Sequence, residues 1–320
     1  MLRVSQIFAR APHSDPTRPP DPSAEGSGPQ AEASTLGAAS MSYTRRRLHN
    51  ILAQAIAGLC TVAVLLPLVL IFGSLVTKGF SSLNFNFFTQ LPKPVGEPGG
   101  GMANAIVGTL TLIGLACVLG LPIGVLAGVF LAEHGHRRLG STIRFCADVL
   151  TGVPSIVIGI YAYTLIVLPT HTFSAYAGGF ALGVIMLPIV TRTTEEMVRL
   201  VPSTLREASL GLGVPAWRTT VWVVLRTARG GIITGIMLAI ARVAGETAPL
   251  LFTAFGNQFW HHGLTGPISS LPAQVYTYAI SPFDDWHRQA WAGALVLLVL
   301  IFLTSLAVRL LTRGRLRAAL

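Results

Sequence analysis

The sequence predicts an all-α, polytopic membrane protein with six transmembrane helices and with both termini in the cytoplasm. Three observations predict this fold class: the composition, six long apolar runs and the uneven placement of positive charge. Of the 320 residues, 52% are hydrophobic and only 11% are charged, whereas a soluble domain averages about 25% charged residues. A soluble monomer would expose much of this apolar surface and aggregate. Soluble enzymes, DNA-binding factors and secreted scaffolds are therefore excluded as the main interpretation.

Residues 1–42 differ in composition from the rest of the chain. They are rich in Pro, Ser, Gly and Ala, and they hold no apolar run of the length that a signal peptide requires. Such a segment cannot bury enough apolar surface to offset the entropy of ordering it. The sequence therefore predicts a disordered N-terminal extension at 1–42 and a six-helix membrane domain at 43–320.

Six apolar runs follow the extension. A helix needs about 20 largely apolar residues to cross roughly 30 Å of hydrocarbon. The predicted spans are 51–76, 103–131, 143–168, 176–191, 231–255 and 290–311, of which the fourth is short.

Positive charge lies almost wholly on one side of these spans. Arginines cluster before the first span, between the second and third, between the fourth and fifth, and after the sixth, whereas the opposite side holds only Lys78, Lys93 and Arg288. Because cytoplasmic loops carry the excess of Lys and Arg, both termini are predicted to be cytoplasmic. We call the side with the arginines the Arg-rich side.

Helix-disturbing and small residues recur within the spans. Each of the first five spans contains a proline: Pro67, Pro122, Pro154, Pro188 and Pro249. A proline removes a helix hydrogen bond and kinks the helix. Gly120, Gly124 and Gly128 form a stripe along the second span that suits close helix packing. These features favour a transporter or channel over a simple anchor.

No catalytic pattern stands out. A phosphate-binding P-loop needs Gly before its Lys, but Thr77 precedes Lys78 and Pro92 precedes Lys93. No HExxH zinc motif occurs, so neither ATP hydrolysis nor a metal site is expected in this chain. An intramembrane enzyme is disfavoured because Asp148 and Glu246 are the only acids within the predicted spans.

The fifth span carries an Arg and a Glu near its middle. A charge there costs about 2.5–3.5 kcal/mol on insertion scales, and Arg242 and Glu246 are spaced to share one helical face and to pair. One interpretation is a self-neutralising structural pair. The other is an ion-pathway site facing the interior of the helix bundle, which is the usual role of intramembrane charge.

The connection between the fourth and fifth spans is long and rich in Arg. Gly213 and Pro215 separate a short helix ending at about Leu212 from a second helix predicted at 216–228. Three interpretations compete: a DNA-binding helix-turn-helix, an amphipathic connector, and a docking element for a soluble partner. About 39 residues are too few for an independent DNA-binding domain.

This loop resembles the EAA signature of ABC importer permeases, which reads E-A-A-x3-G-x9-I-x-L-P. The matching positions here are Glu207, Ala208, Ser209, Gly213, Val223 and Leu225. Ser209 replaces the second Ala of the signature, and Arg226 replaces its Pro. The resemblance implies that 192–230 is a coupling loop that docks into a cleft of an ATPase subunit.

Three further stretches resemble the PstA family of phosphate permeases, so the resemblance covers nearly the whole chain from about residue 45. They read AIARVAGETAPLLFTAFGN, DVLTGVPSIVIGIYAY and MLPIVTRTTEEMVRLVP. EAA permeases for sugars or amino acids lack the RxxxETAPL pattern. Because the membrane Arg and Glu of this family are implicated in phosphate passage, the resemblance implies a substrate pathway at Arg242 and Glu246. Arg192 is a further candidate.

The resemblance also implies an assembly. The chain is expected to have the type I (MetI-like) permease fold and to form half of the pathway of an ATP-driven phosphate importer in the bacterial plasma membrane. The expected partners are a homologous permease (PstC-like), ATPase subunits (PstB-like), an extracytoplasmic phosphate-binding protein (PstS-like) and membrane lipid, without nucleic acid. No cofactor is expected in this chain, since ATP and Mg are used by the partner ATPase. A permease for sulfate or molybdate and a stand-alone six-span channel remain alternatives.

Overall fold

The computed structural model describes residues 29–317, apart from positions 96, 98, 137 and 262. Side chains are described from 47 to 310, apart from those positions and 308. Within these ranges the chain is helical and forms no strand, with one isolated bridge between Phe255 and Ile268. The predicted all-α class is confirmed.

The helices in chain order are α1 (Pro29–Ser82), α2 (Phe85–Thr89), α3 (Ala103–His134), α4 (Arg138–Gly152), α5 (Ser155–Ala162), α6 (Leu168–Thr170), α7 (Ala175–Arg199), α8 (Ser203–Gly211), α9 (Ala216–Arg218), α10 (Leu225–Ala244), α11 (Ala248–Thr253), α12 (Leu271–Ala279) and α13 (Asp284–Arg317). The π-helical segment Tyr163–Val167 joins α5 to α6, and Thr219–Val224 joins α9 to α10.

Five of these stretches are long and apolar enough to cross a membrane within the described residues, and a bent pair brings the number to six. They are Arg47–Ser82, Ala103–His134, Ala175–Arg199, Ala216–Ala244 and Asp284–Ala307, with Arg138–Gly152 and Ser155–Thr170 as the pair. The chain is therefore a multi-pass membrane protein, as predicted.

The chain divides into two compact units, with the boundary between Val69 and Leu70. In the described part of the first unit, the helix exposes its apolar side chains, including Leu59 and Val64, each 73% exposed. Such a surface requires lipid or another apolar helix around it. Helix α1 begins at Pro29, where a proline is tolerated, and the predicted disorder of 1–42 stays a prediction. Residues 1–28 lie outside the described part.

The third and fifth spans differ from their predicted form. The third is broken at Val153 and Pro154, where the axes of α4 and the following helix differ by 103°. The fifth begins at Ala216, not at 231, and it breaks after Ala244. At both breaks a proline lies at the start of the next helix, where its missing N–H leaves no helix hydrogen bond unmade.

The glycine stripe of the second span packs as predicted. Gly120, Gly124 and Gly128 are buried against α7. A Cβ atom added at Gly128 would lie 2.6 Å from the Thr191 carbonyl oxygen, so only glycine permits this approach of the two helices. Helices α3, α5, α7, α10 and α11 share one apolar core, which includes Leu112, Leu182, Met186, Val243 and Leu250.

Candidate substrate pathway and docking surface

The fifth span is interrupted beside its two charged residues. Helix α10 ends at Ala244, and α11 starts at Ala248 with Pro249 in its first turn. Pro249 lies against α5 so closely that a Cβ atom at Gly159 would be 2.6 Å from the Pro249 Cα atom. The break is thus held between neighbouring helices, where irregular backbone at membrane depth is tolerated.

Arg242 and Glu246 pair across this break, with 2.9 Å between Nη1 of Arg242 and Oε1 of Glu246. They pair as their spacing predicts, although Glu246 lies beyond the end of α10 at Ala244. The break buries the carboxylate side chain to 10% exposure, whereas the arginine side chain stays 59% exposed. The guanidinium of the pair is therefore accessible, whereas the carboxylate is buried.

A cavity of about 100 Å³ adjoins Arg242. It lies at the break between α4 and α5 and beside Pro188 of α7. Besides Arg242, its polar lining residues are Thr151 and Ser155, and the rest of the lining is aliphatic or proline. Both broken spans therefore meet at one small polar opening in an otherwise apolar region.

Arg192 is not part of this pair. Its guanidinium donates hydrogen bonds to Asp148 of α4, and its Nη1 lies 3.5 Å from Oε2 of Glu195. Arg192 lies on α7 four residues beyond Pro188, which lines the cavity at Arg242. The structure thus places Arg192 toward the Arg-rich side, in a second group of charges.

Glu195 is the centre of that second group, and the sequence analysis missed it. The Glu195 side chain is 2% exposed, and it accepts hydrogen bonds from Arg144, with Nη2 at 2.6 Å, and pairs with Arg199 at 2.9 Å. A local signal for this group was present in the sequence. Arg192 precedes Glu195 by three residues and Arg199 follows it by four, which is the spacing of ion pairs on one helix face. It was overlooked because the fourth span was predicted to end at 191, whereas α7 continues to Arg199. Arg144 is 51 residues away in sequence, so no local pattern could reveal it.

The connection between the fourth and fifth spans is shorter than predicted. Since α7 runs to Arg199 and helix resumes at Ala216, the connection contains only 200–215, with α8 at its centre. The predicted amphipathic helix at 216–228 is the start of the fifth span. Gly213 adopts φ +79°, as predicted for the residue that stops the short helix.

The signature residues have two kinds of environment. Glu207 and Ala208 are exposed on α8, whereas Ser209 is buried and its hydroxyl lies 2.9 Å from that of Thr219. This hydrogen bond fixes α8 against the start of the fifth span, and it explains why a Ser fits where the signature has Ala. Val223 and Leu225 are half-buried, and Leu225 packs against the cluster around Val198 and Val224.

Helix α8 is also tied to the second span. Arg206 pairs with Glu133 of α3 and donates to the Val198 carbonyl at 3.0 Å. Exposed apolar side chains here are Leu210 and Leu212 of the connection and Trp217 at the start of the fifth span, with Leu212 84% exposed. This combination of a fixed inner side and an apolar outer side suits a docking surface.

Comparison with known proteins agrees with a transport permease. The family model described as "Binding-protein-dependent transport system inner membrane component" matches residues 120–317. Among solved structures, two inward-facing forms of the MetNI methionine ABC transporter match with TM-scores of 0.52 and 0.51 at 18% and 19% identity. They cover 67% of this chain and 96% and 94% of the MetNI chains. At this identity the likeness shows the fold alone, which is the expected MetI-like permease fold.

Curated relatives are similar over most of their length. The phosphate transport system permease protein PstA of Xylella fastidiosa strain Temecula1 is 46% identical over 84% of this chain and 94% of its own. PstA of Yersinia pestis is 44% identical over 83% and 90%, and PstA 1 of Mycobacterium tuberculosis strain H37Rv is 38% identical over 82% and 87%. The chain therefore belongs to the PstA family of phosphate transport system permease proteins, within the wider family of binding-protein-dependent inner membrane components.

Proposed function

We propose that this chain is a permease subunit of an ATP-driven phosphate importer in the bacterial plasma membrane, where it forms half of the translocation pathway. The observation that carries the proposal is the exposed Arg242 at the break of the fifth span, beside a polar cavity. The names of the relatives, all phosphate transport permeases, support the choice of substrate.

Arg242 supplies what a phosphate ion needs in a membrane. A dehydrated anion is costly in an apolar region unless fixed positive charge or donors compensate it. The guanidinium offers five donors in a planar fork that matches phosphate oxygens. Glu246, held at 2.9 Å, competes for the same guanidinium. This competition weakens the hold on phosphate, because conduction requires that the ion also leave.

Arg192 serves a later stage of the same pathway in this proposal. Its position on α7, between the cavity and the Arg-rich side, supports an exit role. Asp148 and Glu195 already occupy its guanidinium. Arg192 is therefore a weaker binding group for phosphate than Arg242.

The coupling loop receives the ATPase. Helix α8 with Gly213, and with Glu207 and Ala208 on its exposed side, would sit in a cleft of the ATPase subunit, which binds ATP and Mg. The other partners are a homologous PstC-like permease and a PstS-like phosphate-binding protein. Closure of PstB-like ATPase subunits would push α8, and the ties of Arg206 to α3 and of Ser209 to Thr219 would pass that motion to the spans.

Uptake of radiolabelled phosphate by proteoliposomes that hold the complete importer tests this function. Arg242→Gln removes the charged fork and should abolish uptake while the complex still assembles. Arg288→Gln is the matched control, because Arg288 is also an exposed arginine paired with a nearby acid, Asp285. Uptake at the normal rate by the Arg242→Gln importer would contradict the proposal. Uptake of sulfate in preference to phosphate by the unmodified importer would favour the other-oxyanion alternative.

Docking is tested separately by ATP hydrolysis. Glu207→Lys reverses an exposed charge on α8 and should uncouple hydrolysis from phosphate-loaded binding protein, since the spans are untouched. Glu207→Gln keeps the shape and should retain most of the stimulation. Normal stimulated hydrolysis in Glu207→Lys would argue against docking through α8.

A further inference from the structure

The cavity beside Arg242 has room for a small oxyanion. A site that holds one water needs at least about 10–15 Å³, and a volume of about 100 Å³ exceeds that several-fold. The lining contains one cation, Arg242, and two hydroxyl groups, Thr151 and Ser155, and no carboxylate.

The two hydroxyls differ in what they offer to this cavity. Thr151 donates its hydroxyl proton to the Ala147 carbonyl at 2.9 Å. A hydroxyl has one donor and two acceptor lone pairs, so Thr151 has only lone pairs left for the cavity. The Ser155 hydroxyl makes no hydrogen bond with the described residues, so its proton remains available to an oxyanion.

An acceptor in the cavity distinguishes oxyanions that carry a proton from oxyanions that do not. Phosphate and arsenate keep at least one proton at neutral pH and can donate it to an acceptor. Sulfate has no proton, and its oxygens would meet the Thr151 oxygen with repulsion. A site built to bind a substrate hydroxyl strongly rejects analogues that lack it, since the polar groups of the site are then left unpaired.

We propose that Thr151 makes the pathway selective for protonated oxyanions, while Ser155 and Arg242 bind any oxyanion that fits. This inference rests on the proposed function, because it places the substrate beside Arg242. It assigns the choice between phosphate and sulfate partly to the permease, at the break between α4 and α5.

Anion binding to the complex of permeases and ATPase subunits in nanodiscs, without the binding protein, measures this selectivity directly. Radiolabelled inorganic phosphate is dialysed to equilibrium against the complex, and arsenate, sulfate and fluorophosphate compete. Fluorophosphate is a useful probe because it resembles phosphate but has no proton at neutral pH. Arsenate should displace phosphate from the unmodified complex, whereas sulfate and fluorophosphate should not.

Thr151→Val removes the acceptor at nearly constant volume. Its affinity for phosphate should fall about tenfold, the effect of one hydrogen bond to a charged ligand, and sulfate should then compete as well as arsenate. Thr151→Ser should keep the preference. Ser155→Ala should weaken binding of phosphate, and added to Thr151→Val it should weaken binding of phosphate and sulfate alike. Thr142→Val is the matched control, because Thr142 makes the same hydrogen bond to the carbonyl four residues earlier on α4 but lies outside the cavity.

The outcomes separate this inference from the proposed function. If Arg242→Gln loses phosphate binding but Thr151→Val keeps the full preference over sulfate, the selectivity role of Thr151 is wrong and the pathway stands. If Arg242→Gln binds phosphate normally, the site itself is misplaced. Thr151→Ala replaces Thr151→Val if the latter does not assemble, since it only removes atoms. An unmodified complex without saturable phosphate binding also overturns the inference.

Discussion

Two ionic sites on this chain use the same residue types in opposite proportions. At the Arg-rich end of α7, one carboxylate, Glu195, is 2% exposed and is shared by three arginines. At the break of the fifth span, one arginine has one carboxylate and remains 59% exposed. The first site has its carboxylate fully used and ties α4 to α7. The second leaves a guanidinium accessible, so an anion can reach it.

The comparison shows that the role of a charged group in a membrane protein depends on its exposure and on the ratio of arginines to carboxylates around it. The presence of the charge alone does not decide that role. Breaking a buried ion pair is expensive because it strands the remaining charge. A pair with an exposed member contributes little stability and is free to exchange partners. We therefore expect the Glu195 site to be structural and the Arg242 site to be functional.

The largest expected difference in stability is between the same substitution, Glu to Gln, made at the two sites. Glu195→Gln leaves three guanidiniums without their shared carboxylate and should cost about 3 kcal/mol, the lower end of the range for broken buried pairs, since the arginines are partly exposed. Glu246→Gln should leave thermal unfolding of the purified complex nearly unchanged.

Glu196→Gln is the control for this comparison, because Glu196 is the exposed neighbour of Glu195 on the same helix. Equal melting temperatures for the Glu195 and Glu246 variants would show that the two sites do not differ as described.

A packing change near the structural site should have an intermediate effect. Gly128→Ala places a Cβ atom 2.6 Å from the Thr191 carbonyl oxygen, one turn before Glu195. Overpacking of this kind costs about 1–3 kcal/mol, so thermal unfolding of the complex should shift to lower temperature. Gly114→Ala has no atom within 4 Å of the new Cβ atom, and it should be neutral or slightly stabilising because Ala favours a helix. The same loss in both variants would mean that the contact with α7 is not the cause.

A smaller effect is expected at an ion pair of intermediate exposure. Glu133→Gln weakens the pair with Arg206, whose members are 20% and 23% exposed. We expect a loss of about 1 kcal/mol or less, measured by thermal unfolding, together with weaker stimulation of ATP hydrolysis because α8 is less firmly tied to α3. A loss as large as that of Glu195→Gln would break the proposed ranking by exposure.

Local sequence patterns predicted those features of the fold that a single strong pattern determines. Apolar runs gave the number of spans, and the stripe of Gly120, Gly124 and Gly128 gave the face that packs on α7. Gly213 was predicted from its place after a short helix, and its φ of +79° agrees. The Arg242 and Glu246 pairing followed from their spacing, although the helix break between them did not.

The parts that could not be predicted depend on contacts distant in sequence. The 103° bend at Pro154 was expected only as a kink, since a proline can equally bend a continuous helix or start a new one. The fifth span was predicted to start late because Arg218, Arg226 and Arg229 interrupt its hydropathy. Trp217 and Trp222 stack with Arg218 and Arg226, which lets charged residues remain on this helix. Glu195 required the contact with Arg144 of α4.

The double variant Arg242→Gln with Glu246→Gln tests the central claim most directly. A neutral pair inserts into the membrane at least as well as a charged one, so the complex should assemble and melt as the unmodified complex does. If Arg242 binds phosphate during passage, proteoliposomes with the double variant should take up no phosphate. If the pair only neutralises itself, removing both charges restores function. Near-normal phosphate uptake by the double variant would therefore contradict the claim that Arg242 serves the substrate.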